Sequence, residues 1–231
     1  MTDRAAAAAA RAMEVRTPAD RPAHRRCAAD DDAPRHARVA LDNAQVRTAP
    51  DGTDPHVVGV ASVVERAYEM YDMFGPYTEV VSADAFDKTL AADPLVEFTL
   101  NHNRGGGAPM ASTRNGTLTL AMDKAGDLPG LTYDAQVDAT RTDVADMVKA
   151  LSRGDLAEAS FKFRIVSGQW SPDYTEYRIQ EVDMNGGDVT AANFGANPSA
   201  TSALRSAPTV APKSGSDVVR ESDLTRPLSL I

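Results

Sequence analysis

The chain has a single cysteine, Cys27, in 231 residues. That excludes an intrachain disulfide and any zinc site built from several cysteines. Basic charge is also in deficit: 24 Lys and Arg face 33 Asp and Glu, for a net charge of -9. A nucleic-acid binder needs a basic footprint to engage phosphates, so that class is set aside. No apolar stretch approaches the ~20 residues needed to span a bilayer, so no membrane role is expected. The alanine run after Arg4 is broken by Arg11 and lacks the Leu/Val-rich segment of a secretory signal, which predicts a cytosolic protein. The 4 histidines never fall at H-x-x-x-H or H-E-x-x-H spacing, and no G-K-[ST] follows Gly105–Gly107. Neither a metal nor a phosphate-bearing cofactor is therefore expected.

Charge is unevenly distributed. Residues 1–50 hold nine Arg, no Lys and seven acids, a net of +2 that leaves -11 for the rest. Rich in Ala, Arg, Asp and Pro and without a sustained period, they read as a mostly disordered arm with one short helix over Ala5–Val15. Cys27 falls in that arm. From about Ser202 the apolar pattern stops and a second polar tail begins. The predicted organisation is a flexible arm over 1–55, one domain over 56–203 and a flexible tail over 204–231.

Between the arms the pattern is mainly β. His56–Val64 and Tyr77–Ser82 read as strands, and Ala83–Leu90 as a short helix with Phe86 and Leu90 on one face. In Leu95–Asn101, Val96, Phe98 and Leu100 alternate with Glu97, Thr99 and Asn101. Leu118–Met122 and Leu131–Val137 continue the series. One helix stands out, with Val144, Met147, Val148 and Leu151 at i, i+3, i+4, i+7, Thr142 as N-cap and Gly154 past its end. Ala157–Ile165 alternates again. Two closing strands, Tyr174–Met184 and Asp188–Phe194, flank Asn185-Gly186-Gly187, a hairpin signal. Short strands, one strong helix and no βαβ rhythm predict a mainly β, α+β fold: an antiparallel β-barrel with helices packed outside.

Two side chains in this pattern carry chemistry. Ser160 lies opposite Phe161 and Phe163 and shares a face with Glu158, Lys162 and Arg164, the face that meets water. His102 ends its strand beside a glycine-rich loop, from which an imidazole reaches a neighbouring strand. Alone, each reads more readily as an ordinary surface residue. Together they are the nucleophile and base of a serine hydrolase if the fold unites them. A third group must fix the imidazole tautomer. Asp188, after the glycine turn, is preferred, with Glu158 and Asp183 as competitors.

Several segments, taken in order, resemble a known family. They are Phe74-Gly75-Pro76-Tyr77-Thr78-Glu79-Val80-Val81-Ser82-Ala83-Asp84-Ala85-Phe86, Asn101-His102-Asn103 and Gly116-Thr117-Leu118-Thr119-Leu120, followed by Gly154-Asp155-Leu156. Then come Ala159-Ser160-Phe161-Lys162-Phe163, Trp170-Ser171-Pro172-Asp173, and Gly187-Asp188-Val189-Thr190 before Ala196-Asn197-Pro198. The series is similar to the tailed-phage prohead (capsid maturation) protease family, over about residues 56–203. The resemblance implies a serine endopeptidase with the herpesvirus-assemblin type of β-barrel, His102 as base, Ser160 as nucleophile and Asp188 as third member. It implies action inside the immature capsid in the host cytoplasm, on the major capsid protein, its scaffold or delta segment, and the protease itself, with a homo-oligomer expected. The family usually has Gly where this chain has Lys162, on the face of Ser160. That departure supports the alternative of an inactive capsid-assembly or scaffold factor with the same fold. An esterase acting on small substrates is a third option.

Overall fold

The computed structural model describes residues 4–27, 54–103, 106–125, 128–193 and 201–204. Helix α1 (Arg4–Glu14) and the two-residue strand β1 (Arg26–Cys27) precede β2 (His56–Val63), β3 (Tyr68–Tyr71) and β4 (Pro76–Val81). Short helix α2 (Asp87–Ala91) leads to β5 (Val96–Leu100), β6 (Ala111–Ser112), β7 (Leu118–Ala125) and β8 (Leu128–Gln136). Helix α3 (Thr142–Arg153) is followed by the long strands β9 (Glu158–Trp170) and β10 (Glu176–Ala192), then β11 (Thr201–Leu204). The fold is mainly β with a few helices, as the alternation predicted.

The strands form one sheet in the order β1-β3-β4-β10-β9-β11-β2-β8-β7, with β5 paired to β10 and β6 to β5. Among the described residues no ladder closes this path into a barrel. The sheet nevertheless rolls over a common core. Phe98 of β5 lies 5.5 Å, ring to ring, from Tyr133 of β8, although four strands separate β5 from β8 along the ladder. At the open seam, the Ser112 N–H of β6 donates to Thr117 Oγ1, just before β7, at 2.9 Å. The core under the roll gathers Val96, Phe98, Leu131, Tyr133, Val189 and Ala191, all buried.

Two expectations about the sheet are corrected. Pairing is not wholly antiparallel: β10 runs parallel to both β4 and β5. Nor is Asn185-Gly186-Gly187 a hairpin. It is a bulge inside the single strand β10, where residues 184–187 together face Phe163 alone on β9, between the pairs Asp183↔Arg164 and Asp188↔Lys162. The segment does not reverse because β5 captures it. Gly186 N–H donates to Leu95 O at 2.8 Å, and Leu95 N–H donates to Asn185 Oδ1 at 3.0 Å. Gly186 takes the left-handed conformation, φ 75°. Gly187 lets the backbones touch, since a Cβ there would sit 2.1 Å from Lys162 O. Below the bulge β10 pairs with β4, and above it with β5. Gly187→Ala is accordingly expected to cost about 3 kcal/mol, the upper end for overpacking, because the obstructing atom is backbone. Chemical denaturation measures it, and a shift within about 0.5 kcal/mol would remove the close approach.

Helix α3 forms where the periodicity put it. Val144, Met147 and Leu151 are buried, and Gly154, φ 77°, ends it with Asp155 N–H donating to Ala150 O at 3.0 Å. Its N-cap is Arg141 rather than Thr142, and no side chain caps it. The Arg141 guanidinium instead donates to Pro109 O and Ala108 O at 2.8 and 3.2 Å, tying down the segment that follows β5.

The N-terminal segment departs most from expectation. Helix α1 matches the short helix read from Ala5–Val15, but residues 4–27 pack on the sheet instead of forming a free arm. Arg11, read as an interruption of the alanine run, is fully buried and grips Asp72 through Nε and Nη2 at 2.6 and 3.0 Å. Arg25 holds both oxygens of the buried Glu79, at 2.7 and 2.5 Å. The remainder of the expected arm, 1–3 and 28–53, and the expected tail beyond 204 lie outside the described residues.

Candidate active site

Strand β5 buries Val96 and Phe98 in the core and turns Glu97 and Thr99 to the opposite face, set by its two-residue period. The chain then leaves the strand through Asn101, His102 and Asn103, whose φ values of 51°, 55° and 53° are all left-handed. This turn swings the His102 ring over β10. Its Nδ1 lies 2.6 Å from Asp188 Oδ1. With Nδ1–H donating to the carboxylate, Nε2 is the lone-pair nitrogen, and it has no partner among the described residues.

Asp188 owes its place to the bulge, which resets β10 so that Asp188 and Thr190 share a face. On β9 the residues opposite them are Lys162 and Ser160; on β5 they are Glu97 and Thr99. His102, Asp188 and Ser160 therefore occupy the same side of three adjacent strands. The expectation that this face is open to water is only half met. Lys162 and Arg164 are exposed, but Ser160 is 8% exposed, Asp188 is buried and Thr190 is fully buried. The Ser160 hydroxyl has no hydrogen-bond partner among the described residues. Lys162 makes no ion pair with Asp188, whose Oδ1 goes to His102.

The competing acids are engaged elsewhere. Asp183 lies before the bulge and pairs with Arg164 at 2.5 Å; that guanidinium, with the Asn185 N–H, holds its carboxyl below the usual range. Glu158 faces Ala192 and Thr201, two residues beyond Ser160 on β9. Of the three acids weighed from the sequence, Asp188 is the one hydrogen-bonded to His102.

A histidine–carboxylate bond does not by itself mark a site. His56 Nδ1 lies equally close, 2.6 Å, to Asp134 Oδ1 across β2 and β8. There the residues paired with His56 and Asp134 are Gln136 and Val58 on the β2–β8 ladder, and Thr119 of β7 on the other side of Asp134. What distinguishes His102 is the primary hydroxyl of Ser160 on the shared face together with a carboxylate withdrawn from water, 11% exposed at Asp188 against 40% at Asp134. Sequence reasoning gave no role to Thr190, whose Oγ1 accepts from the His102 N–H at 3.0 Å. Its alternation with Asp188 in Asp188-Val189-Thr190 was the available signal.

The family model for the caudovirus prohead serine protease matches residues 42–212, well over half of the chain. The chain belongs to that family. The prohead protease match contains β2 through β11 and all three candidate residues, and it leaves α1 and β1 outside. No curated protein and no solved structure matches the chain. Membership implies a serine peptidase of capsid maturation with a capsid protein as substrate. Among the described residues of this prohead protease, no helix is long and apolar enough to cross a membrane.

Proposed function

We propose that the protein is a serine endopeptidase in which Ser160 is the nucleophile, His102 the general base and Asp188 the group that orients the imidazole. The reading rests on one observation: the 2.6 Å bond between His102 Nδ1 and Asp188 Oδ1 lies on the face that carries Ser160, beside a free Nε2. Ser160 stands diagonally across the β9–β10 ladder from Asp188, a Cα separation of about 7–8 Å, on the scale that an intervening imidazole spans.

Nε2 takes the Ser160 proton as Oγ bonds to the scissile carbonyl carbon. Asp188 stabilises the imidazolium that results. The tetrahedral intermediate collapses when Nε2–H gives its proton to the leaving amine, and the C–N bond breaks to leave an ester on Ser160. Water, deprotonated by Nε2, then hydrolyses that ester and restores the hydroxyl. The substrates in this reading are the scaffold or delta segment of the capsid protein and the protease's own chain. The enzyme works as a homo-oligomer inside the prohead, in the host cytoplasm.

Coexpression with the capsid protein tests this, read by mass spectrometry of both chains and by fluorophosphonate labelling. New capsid termini and a label on Ser160 are expected. Labelling with ester but no peptide turnover would make the protein a small-ester hydrolase. Intact chains and an unlabelled Ser160 would leave an assembly factor that keeps the fold.

A further inference from the structure

The turn that carries His102 is held in a conformation it would not choose. Three consecutive non-glycine residues, Asn101, His102 and Asn103, sit at φ between 51° and 55°. Side chains with a Cβ rarely enter that region, and Asn and His do so more readily than most. A run of three persists only where the surroundings over-determine it.

Strand β10 supplies the restraint nearest the imidazole. The His102 backbone N–H donates to Thr190 Oγ1 at 3.0 Å, and the Thr190 hydroxyl donates to Thr99 O on β5 at 2.9 Å, or to Ala191 O at 3.2 Å. At the edges of the turn, Asn193 N–H donates to Asn101 Oδ1 at 3.0 Å, and Asn103 Nδ2 donates to Gly107 O at 2.9 Å. Thr190 is 0% exposed and stands in register with Ser160 on one side and Thr99 on the other. One hydroxyl thus fixes the histidine turn from a residue paired with Ser160. Its β-branch limits χ1, so the oxygen has little freedom to follow a drifting turn.

We propose that Thr190 is a positioning residue: its hydroxyl latches the left-handed Asn101–Asn103 turn and thereby aims His102 at Ser160. This rests on the serine-peptidase reading above. A valine at 190 keeps the shape but leaves the His102 N–H and the Thr99 carbonyl without their partner. The turn then relaxes toward right-handed or extended backbone, and Nε2 moves off the nucleophile. Displacement of a reacting group by about 1 Å costs on the order of 100-fold in rate.

Thr190→Val is expected to lower kcat about 100-fold with KM little changed, on that same displacement scale. Thr190→Ser, which restores the hydroxyl, should recover most of the rate. The proton on His102 Nδ1 gives a second readout: its NMR resonance should broaden or shift in Thr190→Val and return in Thr190→Ser. A valine variant with wild-type kcat, or one that Thr190→Ser fails to rescue, overturns the latch. If Thr190→Val does not fold, Thr190→Cys decides, because it replaces the hydroxyl that accepts from the His102 N–H with a thiol of poor acceptor strength; unchanged kcat there is equally fatal. A wild type that neither cleaves capsid protein nor labels at Ser160 is a different failure, since it removes the peptidase reading itself.

Discussion

Ser160→Ala is expected to lower kcat/KM for peptide cleavage by about 10⁵–10⁶-fold while leaving stability close to wild type. The first half follows from chemistry, since removing a triad nucleophile leaves only binding and oxyanion stabilisation. The second half follows from the site. The Ser160 hydroxyl has no hydrogen-bond partner among the described residues, so its removal strands nothing. The new methyl side chain stays beside the fully buried Thr190. Denaturation midpoints within about 0.5 kcal/mol of wild type are therefore expected. Asp188→Asn should fall less far, about 10⁴-fold, because the amide favours the wrong imidazole tautomer without removing nucleophile or base. The order of the two losses carries the assignment. Capsid cleavage surviving in Ser160→Ala would place the nucleophile elsewhere. Asp188→Asn at wild-type rate would reduce the His102–Asp188 bond to the standing of His56–Asp134, a cross-strand pair without chemistry.

The parts of this site visible in the sequence are those with a local period. Alternation in β5 and β9 gave the faces of Phe98, Phe161 and Ser160, and it ended the first of these strands near His102. The preference for Asp188 over Glu158 and Asp183 had no local period behind it, because the choice depends on a bulge. Asn185-Gly186-Gly187 satisfies a hairpin and a bulge equally well, and the decision falls to Leu95, some ninety residues away in sequence, which bonds the segment through both N–H and C=O. The parallel pairing of β10 escaped for a related reason. Its partners β4 and β5 lie far upstream, without the single crossover helix that signals a parallel pair. The ordered segments of the family resemblance carried what periodicity did not, and the family match agrees with them.

The N-terminal segment shows the limit most plainly, and it gives the largest expected stability effect. Arg11 and Asp72 are 61 positions apart, so neither leaves a local sign of the other. Their side chains are 0% and 1% exposed, against 43% and 43% for the pair formed by Arg4 and Glu69. Beyond Asp72, the Arg11 guanidinium donates to the carbonyls of Gly75, Pro76 and Tyr174 and lies 5.2 Å from the rings of Tyr77 and Trp170. Arg11→Met keeps the apolar stem and removes every one of those bonds. Asp72 Oδ1 still accepts from the Phe74 and Gly75 N–H groups at 2.9 and 3.1 Å, but Oδ2 is left buried without its donor. Breaking a buried pair on one side costs about 3–5 kcal/mol, whereas an exposed pair contributes about 0–1 kcal/mol. Arg11→Met should therefore destabilise several times more than Arg4→Ala in urea denaturation. The neighbouring Arg25 cluster makes the same demand. Tyr68 and Tyr77, their phenols pushed up first by burial and then by the Glu79 carboxylate, stay neutral and donate to Glu79, which Arg25 neutralises. Residues 4–27 lie outside the 42–212 family match, yet Asp72 and Glu79 lie inside it, buried against arginines that the matched region does not supply. Equal, small losses in Arg11→Met and Arg4→Ala would mean that α1 does not dock in solution. A loss confined to Arg11→Met makes the first helix a structural part of this protease.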